Sequence, residues 1–332
     1  MSQVVIRDVP DDVRANLRKE RVPSWQAPTL ATLTDERFSD PDWIFERKLD
    51  GVRCLAFRDG RRVHLLTRNR QSLNGTYPEL VEALAAQPCS KFVVDGEIVA
   101  FEGRRTSFAR LQGRLGLTDP DEARSSGIPV FYYLFDLMHL DGESTTEVPL
   151  LWRKRLLRRS FQFDDPLRYT THRVGDGESA FTAACRRGDE GVVAKLADAP
   201  YAGKRSSNWL KFKCSRDQEF VIVGYTAPKG SRVGLGALLL GYHDGDVLRY
   251  AGKVGTGFDT ATLRSLHKRL SGTEHDHPTV DGAKEPGAHW VRPNSVAQVA
   301  FSEWTRDGKL RHPRYVGLRT DKSPKDVVRE SR

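Results

Sequence analysis

The sequence predicts an α+β protein in two parts, a larger domain of antiparallel sheets with helices followed by a small β-barrel. Three observations carry this. The chain of 332 residues exceeds the usual size of one hydrophobic core, so about two domains are expected. From Pro23 to about Arg216 short strand-like runs alternate with helical ones. After Lys213 the texture changes to short strands punctuated by glycine, with one helix among them.

Composition narrows the class. With 38% hydrophobic and 29% charged residues the chain reads as globular. No segment approaches the apolar length that crosses a bilayer. Met1 to Asp8 lacks the basic-then-apolar layout of a signal peptide, so a cytoplasmic protein without membrane contact is expected. Cys54, Cys89, Cys185 and Cys214 stand singly, which argues against a zinc site of cysteine pairs and against a disulfide framework. The net charge of +9 gathers in clusters, Arg104, Arg105, Arg110 and Arg114, then Arg153, Lys154, Arg155, Arg158 and Arg159. A polyanionic partner, above all nucleic acid, fits this charge; a merely solvated basic surface fits it equally.

The elements follow in order. Val4 to Pro10 reads as a short strand and Asp11 to Arg21 as a charged helix, together a packing appendage over residues 1–22. Residues 53–58 and 63–67 form a hairpin around Asp59-Gly60. A helix over residues 78–86 leads into a strand over 92–101, and a strand over 130–137 precedes a basic helix starting near Trp152. The first domain thus spans residues 23–216. Over residues 217–332, strands are expected at 219–226, 237–242, 247–253, 296–304 and 310–318, with a helix at 260–270. About five strands and one helix in so short a stretch suit an OB-type barrel.

One constellation carries chemistry. In the strand ending Glu46-Arg47-Lys48-Leu49-Asp50-Gly51-Val52-Arg53, the two-residue period puts Glu46 and Lys48 on one face. Alone, this is a surface lysine beside a turn as readily as a nucleophile. Val93 to Val99 adds carboxylates to a core-like strand, and Phe131 to Leu137 supplies aromatic rings. Asp189-Glu190-Gly191 places further carboxylates at a strand start, and Trp209-Leu210-Lys211-Phe212-Lys213 puts two lysines on one face. Together these supply a nucleophilic amine, a platform for a base, carboxylates for a metal and cations for phosphate.

The ordered set resembles the collinear motifs of the nucleotidyltransferase superfamily, which includes ATP-dependent DNA ligases, RNA ligases and mRNA capping enzymes. The sixth motif is Arg311 to Lys322, and Glu219 to Thr226, Lys229 to Arg232 and Tyr250 to Phe258 are similar to the barrel domain of bacterial non-homologous end-joining ligases. The resemblance covers residues 23–324. It implies an adenylation domain followed by an OB-fold, ATP as the nucleotide, and Lys48 as the residue that carries AMP. It further implies Glu46 near the adenine edge, Asp50 and Arg53 near ribose and phosphate, and Arg68 at the sugar or nick phosphate. Glu97 and Glu190 would hold ribose and magnesium or manganese, and Phe135 would stack on adenine. Lys211 and Lys213 would grip the α-phosphate, with Arg319, Asp321 and Lys322 acting on pyrophosphate. Arg70 departs from the family, which more often has a small residue there.

The expected activity is sealing of nicked or broken duplex DNA by a monomer associated with the nucleoid, with a Ku-type end-binding protein as a partner. An RNA ligase or capping enzyme shares most of these residues, and a binding module that has lost catalysis would lack one of them. The absence of paired zinc cysteines disfavours an NAD-dependent ligase. Lys48 must attack as the free amine, so neighbouring Lys211, Lys213 and Arg53 are expected to oppose its charge.

Overall fold

The computed structural model describes residue 6 and residues 9–214 and 217–330. It divides into two compact units, the first reaching Cys214 and the second running from Ser215 to Ser331. The strand expected from Val4 lies largely outside the described residues. The helix expected to Arg21 is a single turn, Asp11–Arg14. Val9 and Val13 bury into the core of the first unit, and Arg18–Lys19 then extends to pair with Glu143–Ser144. Pairing supplies the backbone hydrogen bonds that a longer helix would have made, and the head joins the first unit.

In chain order, the first unit contains β1 Leu30–Leu33, β2 Trp43–Lys48, β3 Val52–Asp59, β4 Arg62–Leu66, α1 Pro78–Ala85, β5 Lys91–Val99 and β6 Phe131–Leu140. Then follow α2 Leu150–Ser160, β7 Leu167–Tyr169, β8 His172–Val174, α3 Gly177–Arg187, β9 Gly191–Leu196 and β10 Arg205–Lys213. β6, β5, β3 and β4 neighbour one another in a seven-stranded sheet. The order β8-β2-β9-β10-β1 makes a five-stranded sheet. Both are antiparallel except at two joins, where β7 runs parallel to β6 and β1 parallel to β10.

Alternation along β3 sets the layers. Val52, Cys54 and Ala56 point into the main core, which also takes Tyr77, Leu80 and Leu84. Leu55 and Phe57 point the other way, into a smaller cluster with Phe135, Tyr201 and Trp209. The β3–β4 hairpin pairs Asp59 with Arg62, so its turn residues are Gly60 and Arg61, one step later than the sequence suggests. Gly60, at φ 62°, takes the left-handed position.

Cys185 on α3 and Cys214 after β10 form a disulfide, against the expectation of none. Their spacing in sequence concealed a proximity that arises only when α3 packs behind the five-stranded sheet. Cys54 and Cys89 are buried free thiols.

The second unit contains β11 Asp217–Thr226, β12 Leu238–Asp244, β13 Val247–Val254, α4 Thr260–Ser271, β14 Ala288–Ala300 and β15 Arg314–Leu318. These strands form a six-stranded antiparallel sheet with Glu274–His275, in the partly open barrel of an OB-fold. Bulges at Ile222/Gly224 and Leu240/Gly241 curve it around its core. Asp259 caps α4 by accepting from the Thr262 amide, and Leu263, Leu266 and Leu270 form its buried stripe. β14 begins eight residues earlier than expected, because residues 288–295 continue the ladder across the bulge in β11. No helix among the described residues is long and apolar enough to cross a membrane.

Candidate active site

Register gathers the site's basic residues on one face of the five-stranded sheet. Lys48 lies opposite Gly191, which lies opposite Lys213. Two residues along, Glu46, Val193 and Lys211 make the next row. Lys195 and Trp209 follow on the same face. The reverse face presents Phe45, Val192, Ala194 and Phe212 to α3, an apolar layer that fixes the strands' orientation. Lys48 ends β2 with its ammonium against the carboxylate of Glu190, both largely buried. Cations were expected to crowd this amine; an acid holds it as well. On the reverse face the neighbouring pair repeats the pattern, with Arg47 2.8 Å and Arg187 2.9 Å from Asp189.

The seven-stranded sheet contributes a second wall. Arg53 lies opposite Glu97 on β5. Its guanidinium grips Asp95 through two contacts of 2.5 Å and donates to the Thr29 carbonyl at 3.1 Å. The Tyr201 hydroxyl donates to the same carboxylate at 2.6 Å. Burial alone would lower the Arg53 pKa, but the charge of Asp95 raises it, so Arg53 is a fixed cation. Its guanidinium stands 4.7 Å from the Phe135 ring, and the Lys195 ammonium 4.2 Å from that ring and 4.0 Å from Trp209. Arg53, Phe135 and Lys195 therefore link the two walls.

Glu46 is enclosed by two lysines absent from the sequence-based site. Lys154 from α2 donates to one carboxylate oxygen, and Lys195 stands 2.6 Å from the other. Burial pushes the Glu46 pKa up, but Lys154 and Lys195 outweigh it and hold the carboxyl below its usual range. Burial pushes the Lys195 pKa down, and Glu46 only partly restores it. A signal for Lys154 was present in α2. Leu150, Arg153, Lys154 and Leu157 have the spacing of one helical face, so two cations occupy core positions. Arg153 is met there by Asp136, at 2.7 and 2.9 Å.

Asp50 has a local partner: its carboxylate accepts from the Phe108 amide at 3.1 Å and its own amide meets the Thr106 hydroxyl at 3.2 Å. Arg68 lies in the turn after β4, half-buried. Arg70 has φ 64°, a left-handed conformation that glycine adopts more readily, and its guanidinium rests 5.0 Å from the Trp25 ring. Among the described residues no three acidic, histidine or cysteine side chains converge as a metal cluster. Glu97 and Glu190 offer hard oxygen donors from separate sheets. Their donor chemistry suits a hard ion of magnesium type, which takes few carboxylates.

In the second unit Arg319 makes a two-pronged pair with Asp321, at 2.9 and 2.8 Å, and donates to Gln298 at 3.0 Å. Both charged residues are buried. Lys322 meets Glu219 at 3.1 Å. The sequence expected all three at the departing pyrophosphate; in this structure the Arg319–Asp321 pair lies within the second unit.

Residues 28–213 match the family described as ATP dependent DNA ligase domain, and residues 231–322 match ATP dependent DNA ligase C terminal region. The chain belongs to the ATP-dependent DNA ligase family. It is 38% identical over 322 residues to the multifunctional non-homologous end joining protein LigD of Pseudomonas aeruginosa, covering 94% of this chain and 37% of that protein. It is 36% identical over 313 residues to the LigD end-joining DNA repair protein of Mycobacterium tuberculosis, covering 92% of this chain and 40% of that one. The chain thus spans about two fifths of the length of these relatives. A solved structure of mycobacterial DNA ligase D complexed with ATP and MES is similar with a TM-score of 0.65 at 33% identity, over 92% of this chain and 98% of that one.

Proposed function

We propose that this chain is an ATP-dependent DNA ligase that seals breaks in duplex DNA through AMP carried on Lys48. The row Lys48–Gly191–Lys213 beside Glu46 and Lys211 carries this reading, one amine among other cations on one sheet face. Membership of the ligase family and the +9 charge support it.

The reaction has three in-line phosphoryl displacements, each governed by positioning and charge stabilisation. The Lys48 amine attacks the α-phosphorus of ATP, a phosphoramidate forms and pyrophosphate leaves. A DNA 5′-phosphate takes the AMP and frees the lysine. A 3′-hydroxyl displaces AMP and closes the strand. Lys211 and Lys213 hold the α-phosphate, Phe135 supports the base and Arg53, fixed by Asp95, faces ribose and phosphate. Asp50 shapes the turn behind Lys48, and Arg68 lies at the sugar or nick phosphate. Before the first step Lys48 must leave its pair with Glu190 and lose a proton. Glu97 and Glu190 would hold a divalent magnesium or manganese ion, which would supply charge neutralisation. Lys322 meets the departing pyrophosphate, with the Arg319–Asp321 pair supporting its loop.

The biological setting proposed is end joining in the cytoplasm at the nucleoid, by a monomer acting with a Ku-type end-binding protein; the names of the relatives support end joining. Incubation with α-labelled ATP, magnesium and a nicked duplex tests the activity. Label on the protein followed by a sealed DNA strand is expected. Sealing confined to RNA, or label from GTP alone, would assign the chain to another branch of the superfamily.

A further inference from the structure

Lys154 and Lys195 take no part in the three displacements, yet they are among the most completely buried charged residues of the first unit. Lys154 is 1% exposed, and its ammonium has an acceptor for each N–H: Glu46, the Thr170 carbonyl at 3.0 Å and the Phe135 carbonyl at 3.4 Å. Lys195 is 2% exposed, 2.6 Å from the other Glu46 oxygen and between the Phe135 and Trp209 rings. Each lysine therefore takes one oxygen of the same carboxylate, which sits on the face that carries Lys48. Two cations on one buried acid exceed what neutralising it requires. Burying the second ammonium is costly unless the arrangement fixes something.

We infer that Lys154 and Lys195 are positioning residues that hold and aim Glu46 as the acceptor for the exocyclic amino group of adenine. The inference rests on the proposed function, with the adenine edge at Glu46 as the resemblance to the ligases implies. A carboxylate has about four acceptor sites, so two lysines leave it room for an incoming N–H. Held as an anion it offers acceptors only. Adenine presents an amino donor at its 6-position, whereas hypoxanthine and guanine present an oxygen, which the carboxylate repels. Removing a lysine lets the buried acid turn or take up a proton, and a protonated acid donates to an oxygen. The pair would thus set selection for ATP over 6-oxo purine nucleotides without touching the phosphate.

The test measures KM and kcat for AMP-lysine formation in the unmodified protein, Lys154→Met, Lys195→Met, Glu46→Gln and the double variant Glu46→Gln with Lys154→Met. The substrates are ATP, inosine triphosphate, and purine riboside triphosphate, which lacks any 6-substituent. For each lysine variant the ATP KM should rise ~10-fold or more, the scale of losing a charged hydrogen bond. The KM for the unsubstituted analogue should barely move, the preference for ATP over inosine triphosphate should shrink, and sealing of a pre-adenylated nick should persist. In the double variant Lys154→Met should add little to Glu46→Gln. Equal KM changes for ATP and the unsubstituted analogue, or additive losses in the double variant, would overturn the positioning role. Should a lysine variant fail to fold, Glu46→Gln still decides: unchanged discrimination between ATP and inosine triphosphate overturns it. Absence of labelling in the unmodified protein would instead overturn the proposed function, and the inference with it.

Discussion

Gly191 lies directly between Lys48 and Lys213 in the five-stranded sheet, and its φ of 149° lies in a region other residues rarely adopt. A Cβ there would stand 1.9 Å from the Phe212 carbonyl oxygen. Glycine is what lets the strands bearing the two lysines close upon one another. Gly191→Ala should cost about 3 kcal/mol or more, combining backbone strain with displacement of β10. Denaturant unfolding would check this, and AMP-lysine formation should fall even under conditions where the variant remains folded.

Arg153 and Asp136 are both fully buried, and the Arg153 guanidinium also donates to the Val148 and Ala199 carbonyls. Replacing one partner strands the other charge in the core. Arg153→Ala should therefore destabilise the protein by about 3–5 kcal/mol. A change under 1 kcal/mol in the chemical denaturation midpoint analysis would show that the network relaxes more freely than its burial implies.

Arg319 and Lys322, neighbours in the sixth motif, should behave differently. Lys322 can be truncated without exposing a buried charge, so Lys322→Ala should fold, lose AMP-lysine formation and still seal a pre-adenylated nick. Arg319→Ala removes the partner of buried Asp321 and should destabilise the second unit. Burial pushes the Asp321 pKa up, but Arg319 outweighs it and the net direction is down. The folded value then lies below the unfolded one, about 3.9, so the pair's stabilisation is complete above that range and fades as pH falls through the folded value. Unfolding followed against pH should show this acid loss in the unmodified protein and a weaker one in Arg319→Ala.

Affinity for a nicked duplex should fall log-linearly with salt. If about six phosphates are neutralised, roughly a thousandfold is lost between about 50 and 200 mM. Filter binding or anisotropy across that range would measure it, and a flat response would contradict phosphate tracking by the basic surface.

The alternating patterns were legible in sequence because a two-residue period alone decides faces. Glu46 with Lys48, and Lys211 with Lys213, share a face as expected, and α1, α4 and most strands fall within a few residues of their expected bounds. Cross-strand and long-range partners were not legible. Asp95 looked like one of several strand carboxylates, and only pairing of β3 with β5 hands it to Arg53. Glu190 stood 142 positions from Lys48, and α2 had to pack on β6 before Lys154 could reach Glu46. The Cys185–Cys214 bond was hidden for the same reason. The pair of Arg319 with Asp321 was not legible either, because it depends on burial that spacing does not reveal.

In the proposed reaction Lys48 alone carries AMP. Lys48→Ala should be incubated with α-labelled ATP and magnesium, and separately with a nick whose 5′-phosphate already bears AMP. The variant protein should take up no label, keep the circular dichroism of the unmodified chain and retain residual sealing of the pre-adenylated nick. Normal labelling of Lys48→Ala would contradict it, because another residue would then be the nucleophile.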